Sequence, residues 1–365
     1  MTWTGIRTIM VLELRQRVRA TRWRVMLGIW VAVLILLCGG LAIAVETASP
    51  ENATNEYLLP LYDVVVCFVL GIGLIVAPTL SATSINGDRA DATLALLQAT
   101  ALRSQEIVVG KLLAAWVAAI AFLGVAVPFL VILTVAGGSH WQALVAHLVI
   151  LVFTLGAVCA IGLGFSSLTA RPSASAVLTY IVVAALTVGT PLATAIASSV
   201  VTGTQTEVTY HVDYDKSTDD KIVCQSEPEI ETHEVTRTDQ IWWILTPNPF
   251  VALGDATAHA PLQPASAVFG APDSFLSLTG QGIDTMRNPQ PSRVVYNRCE
   301  DRDDSYDGPS SSLTSSDDHG PVAKHLAFWP ASLVALMALG AGGVVTASRR
   351  LRVPAGGLPR GVRLA

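Results

Sequence analysis

Apolar residues in this chain fall in long unbroken runs, not in the short alternations of a soluble protein. Six runs reach or exceed the about 20 residues a helix needs to cross a bilayer. They cover roughly residues 25 to 45, 57 to 85, 107 to 135, 141 to 168, 174 to 201 and 326 to 346. Each predicts a transmembrane helix. The second, third and fourth runs are longer than a bilayer requires, so those helices should tilt, kink at Pro78 or Pro128, or project beyond the hydrocarbon. Between the second and third runs lies a polar segment carrying Asp88, Arg89, Asp91, Arg103, Glu106 and Lys111, which belongs in water or against another protein.

Composition agrees. The 365 residues are 52% hydrophobic and 14% charged, with a mean hydropathy of +0.52, where soluble chains carry about 25% charged residues. The chain reads as an all-α polytopic membrane protein. The expected fold has six transmembrane helices, an N-terminal amphipathic interfacial helix, and an α/β or β-rich extracytoplasmic insertion between helices five and six. In domain terms, residues 1–24 form a cytoplasmic arm, and 25–201 hold helices one to five with the polar segment at about 88–103. Residues 202–325 form the outer domain, 326–348 the sixth helix and 349–365 a basic tail.

Charge fixes the expected orientation. Six arginines lie in the N-terminal arm, three basic residues flank the junction of spans two and three, Arg171 lies between spans four and five, and five arginines follow span six. The short loops at 46–56 and 137–140 have none. The positive-inside rule therefore places both termini and the segment around Asp88 in the cytoplasm, and the long loop, whose charges are not counted because long domains translocate largely regardless of charge, outside; the membrane expected is a bacterial-type plasma (inner) membrane. The apolar run after the arm is too long for the core of a signal peptide, so span one is expected to remain. Within residues 6–24, Ile6, Ile9, Met10, Leu12, Leu14 and Val18 stand among Arg and Glu, as in a helix lying on the inner membrane surface.

The long loop differs in chemistry from the rest. It holds 20 of the 28 acidic residues, including the Ser-rich stretch 301–318. Thr206, Val208, Tyr210 and Val212 alternate with polar neighbours and Ile230 to Thr236 less clearly, which predicts a few short strands. Cys224 and Cys299 are the loop's only cysteines and are expected to pair in an oxidising exterior. Closing so long a loop would contribute on the order of 4 kcal/mol in the chain-entropy view. Cys38, Cys67 and Cys159 lie in spans and read as small packing residues. Residues 241–258 are too short to cross the membrane yet carry Trp242, Trp243 and Phe250, which suit the headgroup level, with Pro247 and Pro249 expected to break any helix there.

Catalytic and metal-binding patterns do not emerge. The Gly110-Lys111 pair lacks the rest of a phosphate-binding loop, and His233-Glu234 lacks the second histidine of a zinc helix. No cofactor, metal or nucleic-acid partner is expected for this chain, and it is not expected to be an enzyme by itself. Asp63 and His147 fall in or beside apolar runs, where an ionisable group points to a transport path. A structural role is nevertheless the expected one for each, Asp63 near the outer end of its span and a neutral His147 satisfied within the bundle.

One segment carries a family likeness. It reads Gly87-Asp88-Arg89-Ala90-Asp91-Ala92-Thr93-Leu94-Ala95-Leu96-Leu97, then Thr100-Ala101-Leu102, then Arg103-Ser104-Gln105-Glu106-Ile107-Val108-Val109-Gly110-Lys111-Leu112-Leu113. With six spans, an arm containing Glu13-Leu14-Arg15 and a long loop only before span six, it resembles the permease subunit of a type-2 ABC exporter. Asp88 stands where such permeases usually have Glu, Ala92 where they have Gly, and Ala101 where they have Pro. Pro247-Asn248-Pro249-Phe250 is similar to the family's Asn-Pro region ahead of span six. The resemblance implies a coupling helix over about 91–100 that docks on a separate nucleotide-binding ATPase holding ATP and Mg. Asp88, Arg89, Asp91, Thr93 and Arg103 would orient it and Leu94 and Leu97 would be buried in the partner. It also implies a second permease copy, identical or paralogous, with membrane lipids around the pair and an amphipathic, lipid-like or drug-like cargo moving outward. The alternatives are a membrane-anchored sensor or scaffold acting through the acidic outer domain, and an intramembrane enzyme. A sensor would tolerate a charge at Leu94 or Leu97.

Overall fold

The computed structural model describes residues 2–48, 58–90, 103–136, 141–213, 216–217, 223–260, 274–297 and 325–351. Six helices among them are long and apolar enough to cross a membrane, over Trp23–Gly40, Pro60–Arg89, Ser104–Ala136, Trp141–Leu168, Pro172–Ser198 and Trp329–Arg350. They match the six runs. The chain divides into two units, one of Met1–Thr190, Leu245–Gln281 and Ala327–Ala365, the other of Pro191–Ile244 and Gly282–Leu326.

In the first unit, α1 (Trp3–Arg19) and α2 (Thr21–Ala48) are separated by a break at Ala20, whose extended backbone ends the first helix. Next come α3 (Leu58–Ser81), the short α4 (Ser84–Ala90), α5 (Ser104–Ala136) and α6 (Trp141–Leu168). Helix α3 runs through Pro78 and α5 through Pro128. Helix α7 (Pro172–Ala184) opens with Pro at its first position and passes through a π turn at Ala185–Gly189 into α8 (Thr190–Ser198), which belongs to the second unit from Pro191 on. The unit is completed by α9 (Pro249–Ala258), the start of α10 (Phe275–Arg287) and α11 (Trp329–Arg350).

Lipid is as apolar as the helices, so what holds this bundle is close packing and hydrogen bonding. Ala115, Ala119, Phe122, Ala126, Leu130 and Leu133 of α5 recur every three or four residues and are buried. Trp30 of α2 stacks on Phe68 and Phe122 and donates from Nε1 to Phe122 O at 3.2 Å. Trp116 donates to Val152 O at 2.8 Å. Helices α6 and α11 approach closely: a Cβ on Gly164 would lie 2.7 Å from Gly343 Cα and one on Gly343 2.5 Å from Ala160 O. Only glycine lets these backbones touch. The spans differ in attachment: 67% of the most apolar stretch of α6 is buried, against 11% of that of α2 and 6% of that of Pro172–Ser198.

The second unit contains a three-stranded sheet ordered β2-β1-β3, with β1 (Thr202–Tyr210) antiparallel to β2 (Glu229–Thr236) and parallel to β3 (Arg293–Asn297). Its β1 and β2 are the strands the alternation predicts. The third strand and α10 were not legible in the pattern, because Arg293–Asn297 is short and follows a Pro-rich stretch. Arg287 lies 5.0 Å above the Trp242 ring. Val212 and Cys224 form an isolated bridge.

One sequence expectation is corrected here. Pro249 does not break a helix but begins one: α9 starts at it, since the first helical position needs no N–H. Other expectations lie outside the described residues: the helix over 91–100, the stretch 301–318, Cys299 and the tail beyond 351.

Candidate functional site

The described residues on either side of 91–102 gather at one end of the first unit, where α1, α4 and the first turns of α5 meet. Lys111 is the anchor. It is 1% exposed, and its Nζ pairs with Glu13 Oε1 of α1 and, at 2.7 Å, with Asp88 Oδ2 of α4. A buried ammonium is costly unless paired and hydrogen-bonded, and two carboxylates from two helices meet that need. One turn earlier, Gly110 lets α1 cross closely: a Cβ there would lie 2.7 Å from Ile9 Cβ and 3.1 Å from Ile6 O. Glu106, at the third position of α5, accepts from Arg103 N at 3.0 Å as half of a capping box. Its other oxygen accepts from Thr2 N at 2.6 Å and Thr2 Oγ1 at 3.1 Å. Glu106, Gly110 and Lys111 thus hold α1 by its start, its middle and its ionic face.

Arg17 extends the network. Its Nη2 donates to Leu80 O at 2.8 Å, satisfying a carbonyl left open at the end of α3. Burial draws its pKa below the ordinary arginine value, and the nearby Glu13 carboxylate opposes the shift. The outward side of α1, with Arg7, Arg15 and Arg19, lines a concavity of about 590 Å3. The expected apolar set of this arm is therefore split: Ile6 and Ile9 are buried, while Leu12 and Val18 are exposed.

Helix α4 is fixed by neighbours because it is too short to satisfy its own ends. Ser166 Oγ accepts from Ile85 N at 2.9 Å and Asn86 N at 3.2 Å, supplying from α6 the cap that α4 lacks. Asn86 Nδ2 donates to Ser175 Oγ at 2.8 Å and Thr169 Oγ1 at 3.3 Å, and the Ser175 hydroxyl donates to Ala82 O. Of the residues expected to couple, Asp88, Arg89 and Arg103 belong to this platform or border it. Asp91, Thr93, Leu94 and Leu97 lie outside the described residues. Asp88 directs its charge to Lys111. Sequence reasoning did not single out Glu13, Arg17, Asn86, Lys111 or Ser166 as site residues, although an ionisable side chain at the start of an apolar run is the signal that would have found Lys111.

A second polar cluster lies around α9 and the start of α10. Asp63 Oδ2 accepts from Leu276 N at 2.8 Å. His147 Nδ1 takes the Tyr62 hydroxyl at 2.8 Å, and its Nε2 faces Leu253 O and Thr257 Oγ1 at 3.1 Å each. With the proton on Nε2 every one of these contacts is satisfied. Asp255 accepts from Phe328 N and Trp329 N at 2.8 Å each, capping α11. Asn248, in the Asn-Pro motif, caps α9 by accepting from Phe250 N at 2.9 Å, and its Nδ2 donates to Thr187 O at 3.0 Å and Thr190 Oγ1 at 2.9 Å. Pro191 has no N–H to offer Thr187 O, so this side-chain amide replaces a missing helical bond. Asp63 and His147 are both buried, and these contacts join α3 and α6 to α9 and α10. Trp243 is exposed, Phe250 half-buried, and Trp242 meets Arg287.

The free thiols among the described residues are Cys38, Cys67 and Cys159. Cys224 is not one of them. Its expected partner, Cys299, is outside the described residues.

Residues 7–220 match the family described as ABC-2 family transporter protein, which covers more than half of the chain, including the arm, spans one to five and the α1, α4, α5 platform. No curated protein matches the sequence. Six helices of spanning length and this match make the chain a multi-pass membrane protein, and it belongs to the ABC-2 family of transporters as a membrane permease.

Proposed function

We propose that this chain is the permease subunit of an ATP-driven exporter, coupled to a separate nucleotide-binding subunit and moving an amphipathic, lipid-like or drug-like cargo outward. The observation that carries the reading is the convergence of α1, α4 and α5 on Lys111, immediately flanking residues 91–102. Movement of that segment would pass to three helices at once. Leu94 and Leu97 supply the apolar ridge in the partner, with Asp91 and Arg89 orienting it, while Asp88 holds the base of the segment to Lys111. ATP and Mg belong to the partner, and this chain hydrolyses nothing alone. Both termini lie in the cytoplasm, α1 lies along the inner membrane surface with Arg7, Arg15 and Arg19 toward anionic headgroups, and residues 202–325 lie outside with Cys224 joined to Cys299. Trp242, Trp243 and Phe250 sit near the outer headgroups. Two copies, identical or paralogous, enclose the path.

The test is purification of the chain in mild detergent, with mass spectrometry of what accompanies it and an ATPase assay. A co-purifying nucleotide-binding subunit, lost when Leu97 becomes Asp, is the expected result. A chain that emerges with no ATPase and binds only envelope proteins through its acidic loop would overturn the reading in favour of a sensor or scaffold.

A further inference from the structure

An apolar slot of about 240 Å3 opens between α6, α7 and α11. It exists because Gly164 and Gly343 contribute no side chains where the two helices touch, while Leu168, Val182, Leu339 and Thr346 form its walls. Pockets for drug-sized ligands measure about 300–1,000 Å3, so this slot suits a narrower guest.

Its two ends are not alike. Gly340 lies against Ala157 and Ala160, and Gly343 against Ala160 and Ile161, so α6 and α11 advance in the same direction and end at the same end of the bundle. Three residues beyond Leu168 comes Arg171, which precedes the first residue of α7. On α11, Leu339, Gly343 and Thr346 follow helical spacing along one stripe, and the next position of that stripe is Arg350, with Arg349 beside it. All three arginines are exposed, and none forms an ion pair with another described residue.

We propose that this slot is a binding site for one anionic phospholipid. An acyl chain fills the apolar channel and the phosphodiester meets Arg171 and Arg350 at its mouth. An apolar groove between membrane helices that ends in basic residues combines the two contacts such a lipid offers. A neutral lipid would gain nothing from the arginines, and a soluble anion nothing from the slot.

The test uses the full chain, delipidated in detergent and titrated by native mass spectrometry with phosphatidylglycerol or phosphatidylcholine of identical chains. Wild type should prefer phosphatidylglycerol. Arg171→Gln with Arg350→Gln should weaken that lipid roughly tenfold and leave phosphatidylcholine unchanged. Leu339→Trp fills the slot from its exposed side and should weaken binding with the arginines intact. Both variants should melt as wild type does without lipid; should the arginine variant fail to fold, Leu339→Trp decides. Equal binding of the two lipids by wild type, phosphatidylglycerol binding unchanged in the folded variants, or its full displacement by inorganic phosphate would overturn the site.

Discussion

Lys111 brings one positive charge to a place that is 1% exposed, and two carboxylates on different helices meet it there. Removing one member of a buried ion pair costs about 3–5 kcal/mol when the remaining charge stays buried. Here the carboxylates are 15% and 26% exposed, so water softens the loss on their side. Lys111→Met should therefore lower stability by about 2–3 kcal/mol, and Asp88→Asn by less, because Glu13 still neutralises the ammonium. Glu13→Gln combined with Asp88→Asn strands the lysine and should exceed either single change. Thermal unfolding in detergent ranks the three, and an Asp88→Asn effect larger than the double variant's would refute the shared-anchor account. Asn248 admits a sharper dissection, since its carbonyl caps α9 while its amide serves Thr187 O and Thr190. Asn248→Asp keeps the cap and loses the donor; Asn248→Ala loses both. The alanine variant should cost about 2 kcal/mol and the aspartate variant roughly half of that, read from the same melts.

Among the elements, α1 is where a single methyl group has the clearest structural consequence. Gly110→Ala would set a Cβ 2.7 Å from that of Ile9, an atom fixed to the backbone, with the backbone atom Ile6 O also close at 3.1 Å, so the whole helix has to shift. Limited trypsin digestion should then cut at Arg15 and Arg19 faster than in wild type, with cleavage elsewhere unchanged. No change in the arm's susceptibility would mean α1 has slack at this crossing. The same element shows what a sequence discloses and what it withholds. Runs of apolar residues identify six spans because bilayer thickness imposes a length that needs no tertiary information. The fate of Ile6 and Ile9 is another matter: the alternation of apolar residues and charge fits a membrane surface and a protein surface equally, and the deciding partner, Gly110, is about a hundred positions away. Ser166 as the cap of α4 was illegible for the same reason, since caps are sought in the residue next to a helix and this one comes from another span. Polar residues in apolar runs, such as Asp63 and His147, announced themselves by cost alone, but only the fold shows that their partners are a backbone N–H in α10 and groups on α3 and α9.

For the molecule as a whole, the unequal attachment of the spans divides the bundle into frame and staves. Helices α3, α5, α6 and α11 interlock, whereas the first and fifth spans bury only 11% and 6% of their most apolar stretches. Paired spin labels at Leu36 and Ile181, both exposed, should report a larger change between nucleotide-free and nucleotide-trapped complex than labels at Val145 and Val334, which are also exposed and lie on α6 and α11. Equal displacement of both pairs would show the bundle moving as one piece. The glycine contact between α6 and α11 makes the expectation sharper. Where two backbones touch, no side chain stands between them to change rotamer, so the pair has no gear to slip. With the permease moving as proposed, these two helices are expected to travel together as a single axle.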